Sequence, residues 1–81
     1  MKLKYIMTEY GPVIFPAMLI HSEVAEGLGN IDSAGFVYVD YNKEEDRFDC
    51  KPFGESISVG VASKDIDKAK LDKIFNEEDS F

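Results

Sequence analysis

The sequence predicts an α+β domain: a small antiparallel sheet of about five strands with two helices, in the order ββαβββα. Three observations carry that expectation. Side-chain character alternates with period two over residues 34–41 and again over 55–62, as in strands. Residues 17–28 are rich in helix formers, and Leu71, Ile74 and Phe75 recur at helical spacing. Clusters of glycine, proline and polar residues punctuate the chain between these segments.

Residues 3–8 (LKYIMT) and 12–15 (PVIF) flank Glu9, Tyr10 and Gly11 and read as a hairpin or a bent strand pair. Pro12 and Pro16 assign the second segment to a sheet edge, because proline cannot donate to a ladder. Residues 17–28 follow Pro16 as one helix, or as two pieces broken near His21 and Ser22 with Ser22 capping the second; Gly27 and Gly29 stop it. Over the next strand, Phe36, Tyr38 and Asp40 share one face while Val37, Val39 and Tyr41 share the other. The polar run Asn42–Asp46 has hairpin-loop composition, and residues 47–53 make the returning strand.

Pro52 and Gly54 mark a bend into a fifth strand, residues 55–62 of the stretch FGESISVGVAS. Its branched face, Ile57, Val59 and Val61, is expected to meet the core beside Phe36 or Val37, Leu71 and Ile74. The opposite face, Ser56, Ser58, Gly60 and Ala62, is nearly bare and suits solvent, a second copy, a ligand or a close-packed helix. Ser63 is positioned to cap the last helix, with Asp65 and Asp67 in its first turns. Residues 76–81 read as a frayed tail of a single domain spanning 1–81.

A chain of 81 residues hides only about 60% of its unfolded surface, so its stability margin is thin. The 44% apolar content, with six Phe and four Tyr, nonetheless argues for a packed core. A single cysteine, Cys50, excludes an intrachain disulfide and fits a reducing, cytoplasmic setting. The opening MKLKYIMTEYGP reads as neither a signal peptide nor a membrane span. Sixteen acidic residues against nine basic ones give a net charge of −7. That balance makes direct nucleic-acid or anionic-membrane binding unfavourable and attracts a protein partner with a basic surface.

No catalytic, cofactor or metal signature emerges. Asp40, Asn42, Glu44 and Asp46 alternate like the start of a calcium loop, but Glu45 stands where glycine is needed and Lys51 where a carboxylate is needed. One histidine and one cysteine cannot complete a zinc site. Cys50 with His21 is the only thiol–base pair available, yet each reads more simply as a structural residue. Basic residues do not cluster with exposed aromatics on any strand pattern, which leaves a stacking platform for nucleic acid unsupported.

Acid clusters are better represented. Asp40, Glu44, Glu45, Asp46 and Asp49 stand against Lys43 and Arg47, and the last helix with its tail, counted over residues 65–81, carries six acids against three lysines. Such spaced carboxylates can imitate a phosphate backbone; as solvated surface they would do nothing further. His21, Ser33, Ser56, Ser58 and Gly60 form the alternative candidate, a polar face for a ligand or a second copy.

The motifs VIFP (13–16), HSEVA (21–25), SAGF (33–36) and FGESISVGVAS (53–63) together resemble a group of short, uncharacterised bacterial and prophage proteins, over roughly residues 5–75. The resemblance implies a mobile-element context and no catalytic residue. The leading expectation is a non-enzymatic inhibitor of host or defence machinery, of anti-CRISPR or other anti-defence type, blocking a basic nucleic-acid-binding protein. A nucleotide-like ligand binder working as a homodimer or larger homo-oligomer is the alternative, followed by a structural assembly protein.

Overall fold

The first hairpin is set by a threonine and a glycine. In the computed structural model, which describes residues 1–77, Thr8 Oγ1 accepts the Tyr10 amide at 3.1 Å and donates to the Gly11 carbonyl at 2.9 Å. Gly11, at φ +117°, takes a backbone conformation that a side chain would resist. This turn joins β1 (Lys2–Thr8) to β2 (Gly11–Pro16). A short α1 (His21–Ala25) precedes β3 (Ile31–Asn42) and β4 (Arg47–Phe53), and the chain continues through β5 (Glu55–Ser56) and β6 (Val61–Ala62) into α2 (Asp67–Asn76). The main sheet is antiparallel, in the order β2-β1-β3-β4, and β5 pairs with β6 in a second sheet. The α+β fold is therefore as predicted, with the β5–β6 hairpin in the place of the single fifth strand.

That replacement overturns the expected core face of residues 55–62. Gly60, at φ +83°, turns the chain, and its amide donates to the Ser56 carbonyl at 2.8 Å. Ser56 Oγ accepts the Val59 amide at 3.3 Å. Serine and glycine thus favour a turn over an extended run. Ile57 consequently stands 88% exposed, while Val61 alone of the three branched residues joins a core cluster. The helix expected over 17–28 is confined to His21–Ala25, preceded by a turn at residues 17–18. The last helix starts without a side-chain cap from Ser63, and Ile66 and Ile74 remain 63% and 49% exposed. Asn76 belongs to α2 rather than to a tail, and residues 78–81 of the expected tail lie outside the described residues.

Strand alternation builds a core on each face of the sheet. Tyr5, Met7, Val37, Val39 and Cys50 pack with Leu71 of α2, joined by Phe75. On the reverse face Ile6, Phe15 and Ala34 pack with Val24, Ala25 and Leu28 from α1 and the segment after it. Cys50 is fully buried, as expected of a small core residue.

The sheet and α2 are joined through one carboxylate. Asp67, 1% exposed, uses Oδ2 to accept the Tyr5 hydroxyl at 2.5 Å, the Ser33 hydroxyl at 2.7 Å and the Lys64 amide at 2.9 Å. Its partners come from β1, β3 and the approach to α2. Over the next nine residues the same helix closes a sheet edge. Asp72 Oδ1 accepts the Cys50 amide at 2.8 Å, Lys68 Nζ donates to the Cys50 carbonyl at 3.0 Å, and the Asn76 amide exchanges hydrogen bonds with Phe48 N and O at 2.6 and 2.9 Å. Lys68, Asp72 and Asn76 recur at i, i+4 and i+8, so one helical stripe satisfies the free edge of β4. At the opposite edge β2 carries Pro12 and Pro16, as the sequence predicts.

Gly35 marks the tightest crossing. A Cβ there would lie 2.6 Å from the Phe53 carbonyl oxygen and 3.3 Å from the Gly54 oxygen, where the chain leaves β4. Two stability predictions follow from these contacts. Asp67→Ala leaves two buried hydroxyls without their acceptor and lowers unfolding stability by about 3 kcal/mol in urea titration. Gly35→Ala forces backbone apart and costs about 1–3 kcal/mol by the same measurement, whereas Gly29→Ala meets no neighbour and acts only through its φ.

Candidate functional site

The acidic residues singled out in the sequence fall on the β3–β4 hairpin and divide into two groups. Asn42 Oδ1 accepts the amides of Glu44 and Glu45 at 2.9 and 3.2 Å, which shapes the turn. Asp46 sits at φ +52° and accepts a hydrogen bond from the Tyr41 hydroxyl. Its carboxylate therefore helps hold the loop. Asp40, Glu44 and Asp49, with Tyr41, Asn42, Lys43 and Lys51, line an open depression of about 470 Å³. Glu45 and Asp46 lie outside that lining.

Register explains the convergence of the first group. Asp40 and Asp49 are direct cross-strand partners, a like-charge pair that is destabilising unless a cation intervenes. Lys68 neutralises one member of that pair from α2: its Nζ lies 2.6 Å from Asp49 Oδ1 and 2.9 Å from Asp72 Oδ2. The Lys68 hydrogen bond holds the Asp49 carboxyl below the ordinary carboxylate range, and the two acids push the lysine's own pKa upward. Asp40, Glu44 and Glu45 are exposed and make no salt bridge among the described residues.

The second candidate set does not converge on a cavity. His21 is buried, and its Nε2–H donates to the Gly35 carbonyl at 2.9 Å, with Phe15 and Phe36 packed edge-on at 5.4 and 5.9 Å. Ser33 is spent on Asp67, on the opposite sheet face. Ser56 and Ser58 sit 3.5 Å apart in the β5–β6 hairpin, where Ser58 Oγ also accepts the Ser22 amide at 3.2 Å. Gly60 completes that turn. These hydroxyls tie the hairpin together and to the start of α1. His21 and Cys50 belong to opposite faces, so the thiol has no imidazole base. Among the described residues no group of three or more His, Cys, Asp or Glu is arranged to hold a metal ion.

Sequence reasoning missed two arrangements. The Asp67 hub requires residues 34 and 62 positions apart in the chain to meet, and no local pattern announces it. The other is a lysine–aromatic surface. Lys2 pairs with Tyr38 and Tyr38 with Lys51; one row away, Lys4 pairs with Phe36 and Phe36 with Phe53. Phe53 stacks on Phe36 (5.5 Å, 24° between planes) and on Tyr38 (5.2 Å, 14°). Lys2 and Lys4 place their ammonium groups 4.6 and 5.8 Å from the Phe36 ring centre. The expectation that basic residues and aromatics stay apart is thereby corrected: they alternate across strands, not along one.

No family model, curated protein or solved structure matches the chain. No described helix is long and apolar enough to cross a membrane.

Burial, then the hydrogen bond and charge of Asp72, push the Cys50 thiol from its ordinary 9.0 up to about 12. Burial and the Asp67 hydrogen bond likewise push the Tyr5 phenol well above its ordinary 10.0. Both groups ionise more readily when unfolded, so their stabilising contribution is complete below about pH 9 and is lost as pH rises toward 12. The urea midpoint is expected to fall across that window. Cys50→Ala should remove the thiol's part of the slope, and a disulfide reagent should label native Cys50 only as the fold opens.

Proposed function

We propose that this chain is a small acidic, non-enzymatic binding protein that blocks a basic, nucleic-acid-binding protein through its β3–β4 hairpin. The observation that carries this reading is the convergence of Asp40, Glu44 and Asp49 around one open depression. Exposed carboxylates held on a strand pair offer spaced negative charge at low conformational cost, as a phosphate backbone does. Tyr41 and Asn42 brace the turn, which limits the ordering lost on contact. The net charge of −7 adds long-range attraction for a basic surface and raises the encounter rate.

The resemblance of the VIFP, HSEVA, SAGF and FGESISVGVAS motifs to prophage proteins supports a cytoplasmic, mobile-element setting for this activity. Within that setting the class is an anti-defence inhibitor, of which anti-CRISPR proteins are one kind. The reading is favoured over a serine-lined ligand pocket because Ser33, Ser56 and His21 already spend their polar atoms inside the fold. It is also favoured over edge-to-edge assembly, since the prolines of β2 and the side chains of α2 occupy the two sheet edges.

Affinity capture from a bacterial host lysate, cleared of nucleic acid by nuclease, tests the proposal. Nucleic-acid-binding proteins should be retained by the native chain and released at about 1 M salt, where the Debye length shrinks to about 3 Å. A variant carrying Asp40→Lys, Glu44→Lys and Glu45→Lys should lose them while keeping the native circular dichroism spectrum. Retention by that variant would remove the hairpin from the interface.

A further inference from the structure

We propose that the reverse face of the sheet, built from Lys2, Lys4, Phe36, Tyr38, Lys51 and Phe53, binds a short single strand of nucleic acid. This goes beyond the hairpin reading and stands on different residues. Helix α1 and the segment after it cover Ile6 and Ala34 on this face. The covering reaches Phe36 through the edge of His21 and stops short of Tyr38, which lies two rows beyond Ala34 and is 47% exposed.

Side-chain chemistry selects the occupant. An aromatic ring on an open sheet accepts a nucleobase by stacking, whatever its sequence, while lysines beside it meet the phosphates. Here Phe53 is sandwiched between Phe36 and Tyr38, and Lys2 and Lys4 lie over Phe36. The outer side of Tyr38 is left to extend the stack by one base. Lys2 and Lys51 are the cross-strand neighbours on either side of Tyr38, so a strand whose base stacks there brings its phosphates toward an ammonium group on each flank. Lys4 is anchored by donating to the Leu19 carbonyl at 2.6 Å and contributes charge from a fixed position.

Polarity of the face orients the ligand. Asp40 and Asp49 form the next row toward the hairpin and repel a polyanion from that end. The strand is thereby confined to the lysine rows. A duplex, with its bases closed to stacking, gains only the charge contacts. Because the chain's net charge of −7 opposes nucleic acid at long range, recognition relies on contact and is modest in affinity.

Fluorescence anisotropy of labelled oligo(dT) with the full chain at low salt, in parallel with a duplex of equal length, tests this. The chain has no tryptophan and four tyrosines, so the part of any tyrosine quenching by the strand that disappears in Tyr38→Ala reports stacking at Tyr38 alongside the anisotropy. The single strand should bind more tightly than the duplex, and Tyr38→Ala should weaken it about tenfold or more. Lys51→Glu, at an exposed position, should also weaken it and reduce the salt slope by about 0.7. Lys70→Glu, exposed on α2, should change neither. Absence of binding at about 10⁻⁴ M protein, the weak end of nonspecific affinity, would overturn the proposal. So would equal binding of duplex and single strand that is indifferent to both Tyr38→Ala and Lys51→Glu. Sedimentation that shows a dimer dissolved by Lys51→Glu would instead assign the face to a second copy.

Discussion

A single buried carboxylate holds the two layers of this protein in place. Asp67 lies at the start of α2, and its Oδ2 takes hydroxyl donors from Tyr5 on β1 and Ser33 on β3. Burying a charge is costly unless strong hydrogen bonds replace its water, and a carboxylate receiving two hydroxyls and an amide meets that requirement. The geometry also fixes direction. Once Asp67 is seated, α2 can leave it only along β4, with Leu71 turned to the core and Lys68, Asp72 and Asn76 turned to the strand edge. No side-chain nitrogen or oxygen buried among the described residues is left without a partner. The polar network is therefore complete, which is the condition under which it specifies a unique arrangement instead of weakening the core.

This clasp has a consequence for the rest of the sheet. A four-stranded antiparallel sheet has two edges, and each edge is a template for unwanted pairing. Here α2 occupies one, while prolines limit donation at the other. With its edges managed, the molecule presents its remaining surfaces by face and by loop. The α2 side of the sheet is closed by Leu71 and Phe75; the α1 side is closed only in part, because α1 spans five residues. The uncovered remainder and the β3–β4 hairpin are where recognition chemistry can reside.

Local pattern made much of the fold legible. Alternation over residues 36–41 places Val37 and Val39 together, and both are buried; Pro12 and Pro16 do mark an edge strand. What stayed illegible depends on register or on competition between turn and strand. The alternation of Ile57, Val59 and Val61 reads as a strand, but Ser56 and Gly60 close a turn between them, and hydrophobic period loses to hydrogen bonds made over four residues. Ile74 has the spacing of a core residue, yet Leu71 and Phe75 take the core-facing positions of α2 and Ile74 stays half exposed beside them. Of the candidate residues, Asp40, Glu44 and Asp49 were recognisable as a charge run. Their meeting at one depression, and the lysine–aromatic rows beside them, required knowing that residue 2 faces 38 and 38 faces 51.

Net charge and local charge thus give different accounts of the same sheet face. Moving along β3 from Phe36 to Asp40 covers four residues, or about 13 Å at strand rise, while charges at physiological salt are screened over about 8 Å. The Lys4–Phe36–Phe53 row therefore lies largely outside the field of Asp40 and Asp49, despite the chain's overall −7. Tyr38 sits between the two regimes, about 7 Å from the acidic row by the same rise. There the flanking lysines matter most: Lys51 lies 4.0 Å from Asp49, and Lys2 stands on β1 opposite Tyr38. A pair of ammonium groups beside one ring offsets the neighbouring carboxylates locally, so an acidic protein can carry a surface of the opposite preference within one strand pair of its most acidic loop.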